Sequence, residues 1–577
     1  MDYTSVKPST ATRPADSLVW SGGRRRSFGL KRFLLRLAVH LDALRSAPRA
    51  WLVAMWWRIC GKRLRARLMM APLLGRSRWA YPLWLAQGGG DDRRCQTTPS
   101  ARANLLALVE AGEGQERTLA SLAAQGIPAL LVDSDDVPRL GQAVADALGP
   151  DAGDAWLLPL AAGDTLAECA EALYRAAVAG ADPETKVLYA DDDLIDARGR
   201  RKDPHFKPDW NAELYRHFDF VAGAAILRAS EQELQDLPAV GWAAELARRI
   251  VANGHAQDGA TVHLRRILHH RRARPAPQRP EQGASVEPGG GALPSVSIII
   301  PTRNRLDLLR PCLEGLARTD YPGPVEIIVI DNDSDDAATL AYLAALDPAS
   351  VRVLRHPGAF NFAAMNNRAV ENAAGELLCF LNNDIEICEP NWLVTMATQA
   401  LRTEVGAVGA CLLYPDGRIQ HAGVVLGIGG GAAHAHRLLR PEDMGYFHRH
   451  ALPQFVSAVT AACLVVRRDR FLAVGGFDAE SFSVAFNDVD LCLKLNARGW
   501  QSLYEPRATL VHHESVSRGL DRDPAGSARL ARELAALQER WSIAPAPGAT
   551  AANPAQAVDP FHHPELSPFS EHFVVRL

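Results

Sequence analysis

Four stretches between residues 295 and 384 constrain this chain more than any other feature: "SVSIIIPT", "VEIIVIDND", "VRVLRH" and "LLCFLNND". Each is a short apolar run, and the first two are dense in β-branched residues. Between them, residues 306–318, 337–346 and 363–374 carry apolar side chains at helical spacing. Continuous apolar strands alternating with helices predict a parallel sheet covered on both faces. In such sheets ligands bind beyond the carboxyl ends of the strands. Three polar clusters fall there: Pro301-Thr302, Asp331-Asn332-Asp333 and Asn382-Asn383-Asp384. Turn capping accounts for one cluster of this kind, but three on one edge point to a site.

The remainder of the 577 residues exceeds what a single core sustains. Residues 100–270 alternate in the same manner: "NLLALVE", a helix near 118–124, "ALLVDSDD", "AWLLPL", a helix over 165–179, and "KVLYADDD". A second α/β domain is therefore expected there. Residues 271–294, rich in Pro, Gly and charge, read as a linker. Residues 295–520 form the main domain, and 521–577 a helix and tail.

Charge is distributed unevenly. The net charge is -3, yet residues 17–90 hold fifteen Lys/Arg against one acid, Asp42. Residues 1–23 read as disordered. From Leu30 onward, apolar positions at helical spacing, the run "AWLVAMWWR" and flanking arginines predict an amphipathic segment within 1–99. That segment is expected to lie at an anionic membrane surface. No apolar run reaches the roughly eighteen residues of a membrane span, and no signal-peptide pattern is present. No RNA-recognition motif is found, so nucleic acid is not an expected partner. Nine scattered cysteines without a CxxC pair exclude a zinc site and a disulfide framework, and fit a reducing, cytoplasmic setting.

Neither a GxxxxGKS/T loop nor a GxGxxG turn follows the first strand, which argues against a P-loop NTPase or a dinucleotide enzyme. Carboxylates and amides at strand ends suit a nucleobase or ribose on one side and a hard divalent cation on the other. Such a cation would neutralise a diphosphate, which makes a diphosphate leaving group the natural chemistry.

The segments "VSIIIPTRNR", "IIVIDNDS", "FNFAAMNNRAVENAAGELLCFLNND", "AVGACLLYPDGRIQHAGVVLG", "VTAACLVVRR", "VGGFD", "FNDVDLCLKLNARGW" and "LVHHESVSRG" occur in that order, and "DPFHHPELS" follows near the end. Together they resemble glycosyltransferase family 2, in the rhamnosyltransferase-like branch of surface polysaccharide assembly. The resemblance implies a GT-A fold, a Rossmann-like α/β domain with a mixed, mainly parallel sheet. It implies inverting transfer of a hexosyl or deoxyhexosyl group from a nucleotide-diphosphate sugar to a glycan or lipid-linked acceptor, with Mg or Mn. The expected place is the inner face of the plasma membrane.

By the same matching, "NND" stands where the family has its DxD motif. Asp384 would contact the metal, with Asn382 replacing the first acid, and His512 would be a second ligand. Pro301, Thr302 and Asp331 would frame the base and ribose, and Asn366, Asn367 and Asn383 would lie along the donor pocket. Inverting transfer needs a base for the acceptor hydroxyl. Asp488 of "FNDVD" matches the family's ED motif, although Asn487 replaces its Glu; Asp490 reads instead as a first-turn acid of the helix that follows. Two asparagines in place of acids keep a second reading open, a catalytically inactive sugar-nucleotide or glycan-binding scaffold. The domain at 100–270 resembles the family more faintly, as a degenerate tandem copy. "LAAGD" keeps only Asp164 of the metal motif, and Asp191, Asp192 and Asp193 read as a loop face. An inactive or acceptor-holding role is expected of that domain.

Overall fold

The four apolar runs form neighbouring strands of one sheet. In the computed structural model, which describes residues 29–89, 104–149, 155–254, 259–281, 292–513, 523–543 and 559–577, strand Val296–Thr302 lies between Val325–Asp331 and Leu377–Leu381. Val351–Arg355 flanks Val325–Asp331 on its other side, and all the pairings among the four are parallel. The intervening helices are Leu306–Leu316, Ala337–Ala345 and Phe362–Glu371. Two of them start at side-chain caps: Asp336 accepts from the Thr339 N–H at 2.8 Å, and Asn361 from the Ala364 N–H at 2.9 Å.

Alternating residues of the central strand enter different cores. Ile299 packs with Ile328, Phe380 and Leu464 on one face, while Ile298 and Ile300 pack with Val329, Cys379 and Val465 on the other. Both faces are dry, which is why the sequence shows unbroken apolar runs.

The sheet continues through antiparallel Cys463–Arg467 to Val405–Leu413, then in parallel to Gln501–His512, and ends at the three-residue strand Ile385–Ile387. Short strand Ile419–His421 pairs with Val405–Leu413, and Val424–Leu426 with Ala432–His434.

The chain divides into two units. Residues 78–210 and 219–275 belong to the first, and residues 41–77, 211–218 and 276–577 to the second. Within the first, the strand order is Ala129–Val132, Asn104–Glu110, Ala155–Leu160, Ala225–Leu227, Val187–Ile195, Thr261–Arg271, Thr165–Leu166. Its parallel and antiparallel steps repeat those of the second unit, less one parallel step at the outer edge. Even the irregularity in the paired long strands recurs, between Ala190 and Asp191 in one and between Ala410 and Cys411 in the other. The two units are thus copies of one α/β plan.

Two local expectations differ from what is found. The helix expected over 165–179 begins at Ala170, because Thr165 and Leu166 pair with His270 and His269. Asp191, Asp192 and Asp193 are not a loop face; they lie inside strand Val187–Ile195 and are fully buried. The N-terminal region forms helices Gly29–Ser46, Pro48–Ile59, Arg63–Gly75 and Ala80–Ala86. None of the described helices is long and apolar enough to cross a membrane.

Gly409, in strand Val405–Leu413, is set by a close approach. A Cβ at that position would lie 2.4 Å from Val459 Cβ. Gly409→Ala should therefore lower stability by the roughly 1–3 kcal/mol of an overpacked core, and Gly409→Ala with Val459→Ala should recover part of it. Melting temperatures of the three proteins check this; an unshifted Gly409→Ala would contradict the packing described.

Candidate active site

Beyond the carboxyl ends of the parallel strands opens a cleft of about 580 Å³, lined by Pro301, Thr302, Asn383, Asp384, Asp488 and His512 among others. The strands deliver these groups from far apart in sequence. Thr302 ends the central strand, and its Oγ1 accepts from Asn383 Nδ2 at 2.9 Å, which ties that strand to the Asn-Asn-Asp turn. Asp384 is followed directly by strand Ile385–Ile387, which pairs antiparallel with the last long strand so that Ile385 faces His512. That register brings His512 Nε2 to 3.1 Å from Asp384 Oδ1.

Several features fit a divalent cation at this point. Asp384 is 3% exposed, and its Oδ1 is a buried oxygen with no hydrogen-bond partner. His512 Nδ1 donates to Gln420 Oε1 at 2.7 Å, and Asn382 Nδ2 lies 3.3 Å from Nε2. With Nδ1 engaged as donor, the Nε2 lone pair faces the orphaned carboxylate oxygen. Two acceptors at this separation repel unless a cation stands between them, and a second partner holding the other ring nitrogen is the usual support of a ligating histidine.

Asp488 occupies the first turn of helix Asn487–Asn496 and lines the same cleft. Its Oδ1 accepts from the Val489 N–H at 2.9 Å and its Oδ2 from the Ala461 N–H at 3.1 Å, so the carboxylate is held from two sides. Asp490 points elsewhere. It is fully buried, pairs with Arg540 at 2.9 Å and Lys494 at 3.1 Å, and accepts from Trp541 Nε1. Its ion pairs bind the last described helix, Pro524–Arg540, to the domain.

Not all the expected residues meet in the cleft. Asp331 is fully buried behind it, where Oδ1 accepts from the Ser334 N–H and Oδ2 pairs with Arg355 at 2.5 Å. Asn366 and Asn367 do not line it either, contrary to expectation. Asn366 Nδ2 returns to the Phe362 carbonyl of its own helix, and Asn367 exchanges two bonds with the backbone of Phe477. Their amides satisfy buried backbone, a common use of asparagine in a packed helix. Conversely, Gln420, His434 and Thr460 line the cleft. Gln420 had one sequence signal, the polar pair inside the apolar run "RIQHAGVVLG"; His434 and Thr460 lie outside that run.

The equivalent place in the first unit is filled from within. Asp164 follows strand Ala155–Leu160 as Asp384 follows Leu377–Leu381, and Thr165 faces His270 as Ile385 faces His512. Yet His270 Nδ1 is turned to Asp193 at 2.7 Å. Asp192 is salt-bridged to Lys207 at 2.9 Å and to Arg274, and these cations hold its carboxyl far below the usual range despite the opposing effect of burial. Asp164 accepts from the Arg272 N–H, and burial pushes its carboxyl up to about 6. Basic side chains take the place that a cation and an anionic ligand would need.

The sequence profile of Glycosyl transferase family 2 matches residues 297–470, the stretch that contains the central strands and the Asn-Asn-Asp turn. An N-acetylglucosaminyl-diphospho-decaprenol L-rhamnosyltransferase of Mycobacterium tuberculosis is 30% identical over 35% of this chain and 70% of its own length. The chain belongs to glycosyltransferase family 2. Its α/β units accordingly take the GT-A form, in tandem. Other family relatives align over more of the chain. An O-antigen biosynthesis protein, RfbC, of Myxococcus xanthus is 36% identical over 63% of this chain and 31% of its own. An uncharacterized protein, y4gI, of Sinorhizobium fredii is 40% identical over 63% of this chain and 44% of its own. The chain thus spans less than half the length of these last two.

The division of labour between the acids of "FNDVD" is open to test. Asp490→Asn should lower stability by about 1–3 kcal/mol, since Arg540 and Lys494 lose their charged partner, while nucleotide binding is retained. Thermal unfolding with and without a nucleoside diphosphate distinguishes this from a site role, which would abolish the ligand-induced shift.

Proposed function

We propose that this glycosyltransferase moves a sugar, with inversion, from a nucleotide-diphosphate donor to a glycan or lipid-linked acceptor in cell-surface polysaccharide synthesis. The observation that carries the reading is the meeting of Asp384, His512 and Asp488 in one cleft at the carboxyl edge of the sheet. Asp384 and His512 would hold Mg or Mn, and a bound ion of this kind neutralises the charge of a diphosphate leaving group. Pro301, Thr302 and Asn383 form the wall on which the nucleotide would lie. Asp488 would take the proton of the acceptor hydroxyl as its oxygen bonds to the anomeric carbon and the bond to the diphosphate breaks. The two amides that hold the Asp488 carboxylate keep it oriented for that role. The first unit, with its acids already paired, is assigned no donor site.

The names of the relatives support the acceptor class: one acts on a diphospho-decaprenol, a lipid carrier, and one belongs to O-antigen biosynthesis. A lipid-linked acceptor calls for membrane contact. Helices Pro48–Ile59 and Arg63–Gly75 expose Leu52, Trp56, Ile59 and Leu64 beside Arg58, Arg63 and Arg65. We assign peripheral association with an anionic membrane, at its inner face, to this surface.

Metal and turnover tests separate the roles. Asp384→Ala and His512→Ala should weaken manganese binding by more than about tenfold, whereas His513→Ala, whose imidazole faces Glu386, should not. Asp488→Asn should cut turnover about 10²–10⁴-fold with donor affinity unchanged. An active Asp488→Asn enzyme would remove the proposed base, and metal binding indifferent to Asp384 would remove the proposed ion site. Donor binding without any turnover in the wild-type chain would favour the scaffold reading.

Membrane contact is better tested by substitution than by deletion, because Gly75 packs against Val574 and Arg67 stacks on Phe569 within the second unit. Trp56→Ser with Ile59→Ser should reduce sedimentation with phosphatidylglycerol vesicles and leave manganese binding intact. Undiminished sedimentation would place the contact elsewhere.

A further inference from the structure

Within the second unit, helices Pro48–Ile59 and Arg63–Gly75 and the tail residues 567–569 enclose a groove of about 810 Å³. That volume falls inside the roughly 300–1,000 Å³ of small-molecule sites. A single stripe of the second helix forms one wall: Arg63, Ala66, Arg67, Met70, Ala71 and Leu74 all line the groove, at the spacing of one helix face. The stripe is graded. It begins on a guanidinium at the first turn of the helix and ends on apolar side chains, while Pro568 and Phe569 line the groove from the tail.

Four arginines line the groove and no Asp or Glu does. Two of the four are engaged: the Arg67 guanidinium lies over the Phe569 ring at 5.3 Å, and Arg576 donates to the Pro564 carbonyl at 3.4 Å. Arg58 and Arg63 differ. Both are exposed, they flank the short turn between the two helices, and neither has an acidic partner among the described residues. Uncompensated guanidinium charge at one end and apolar side chains along the rest complement an amphiphile with an anionic head, and guanidinium suits a phosphate in particular. Length agrees. From Arg63 to Leu74 the helix rises about 16 Å, close to half of the roughly 30 Å hydrocarbon core of a bilayer. Contact with a membrane surface needs no such cavity, since outward side chains such as Leu52, Trp56 and Ile59 suffice for it.

We infer that the groove is a binding site for one anionic lipid, its phosphate held by Arg58 and Arg63 and its hydrocarbon chain laid along Met70, Ala71 and Leu74. The inference deepens the membrane-contact reading, on which it rests, from a surface to a site. The groove is joined to the framework of the cleft. The Gly429 N–H donates to the Pro568 carbonyl at 2.9 Å, and Gly429 lies in the turn between strands Val424–Leu426 and Ala432–His434, the second of which ends at the cleft. A seated lipid is thereby tied to the hairpin that reaches the candidate active site.

The test uses the full chain and dodecyl phosphate below its micelle concentration, with binding followed by calorimetry. One equivalent should bind. Dodecyl maltoside has a chain without the charge, and inorganic phosphate has the charge without a chain. Each should bind at least about tenfold more weakly. Arg58→Gln with Arg63→Gln should weaken dodecyl phosphate about 10- to 100-fold, the effect of losing hydrogen bonds to a charged group. Both side chains are exposed, so the fold does not depend on them. Ala71→Phe, which fills the groove, should weaken dodecyl phosphate as well. Equal binding of either control compound, or unchanged affinity in both variants, overturns the inference. A wild-type chain that sediments with phosphatidylglycerol vesicles yet takes up no dodecyl phosphate removes the groove site and leaves the membrane reading standing; a chain that does neither removes both.

Discussion

Three residue pairs between Ile385–Ile387 and the end of strand Gln501–His512 decide where the chemistry of this chain can occur. The pairing is antiparallel and short, and side chains in a strand alternate faces. A slip of one residue would turn His512 away from Asp384 and send His513 inward in its place. Strand Ile385–Ile387 begins the residue after Asp384, so no slack separates the carboxylate from the register that positions its partner. Gln420 adds a third fixed point by holding the far nitrogen of His512. The cleft is therefore a property of the sheet, built on rigid elements.

The two units show how far one strand plan can diverge in chemistry. Both place an Asp shortly after a parallel strand next to the first strand of the unit, Ala155–Leu160 in one and Leu377–Leu381 in the other, and a His opposite the following residue. In the second unit the Asp and His face each other across an orphaned oxygen. In the first, Lys207, Arg271 and Arg274 gather around Asp192, and His270 turns to Asp193. Breaking such buried pairs would leave uncompensated charge, which costs several kcal/mol. The first unit thus surrounds its acids with Lys and Arg side chains, whereas Asp384 of the second faces a histidine.

Much of this was legible in the amino-acid order, for identifiable reasons. Strands buried on both faces must be continuously apolar, so Val296–Thr302, Val325–Asp331 and Leu377–Leu381 stood out, and the polar triplets at their ends marked the working edge. The helix carrying Asp488 was visible from Leu491 and Leu495. What escaped depended on partners far away in sequence. Gln420 and His434 reach the cleft only through strand pairings that no local pattern encodes. Asp191, Asp192 and Asp193 read as a loop because three acids in a buried strand are intelligible only once Arg201, Lys207, His263 and Arg274 are seen beside them. Asn366 and Asn367 were placed by resemblance alone, and helix packing gives them a different use.

The proposed chemistry depends on a cation held between Asp384 and His512 in the second unit. The most direct measurement is anomalous diffraction at the manganese edge from crystals of the full chain grown with manganese and a nucleoside diphosphate. One strong peak is predicted within ligand distance of both Asp384 Oδ1 and His512 Nε2. A peak beside Asp164 in the first unit instead, or manganese bound on the nucleotide with neither residue in reach, would contradict it.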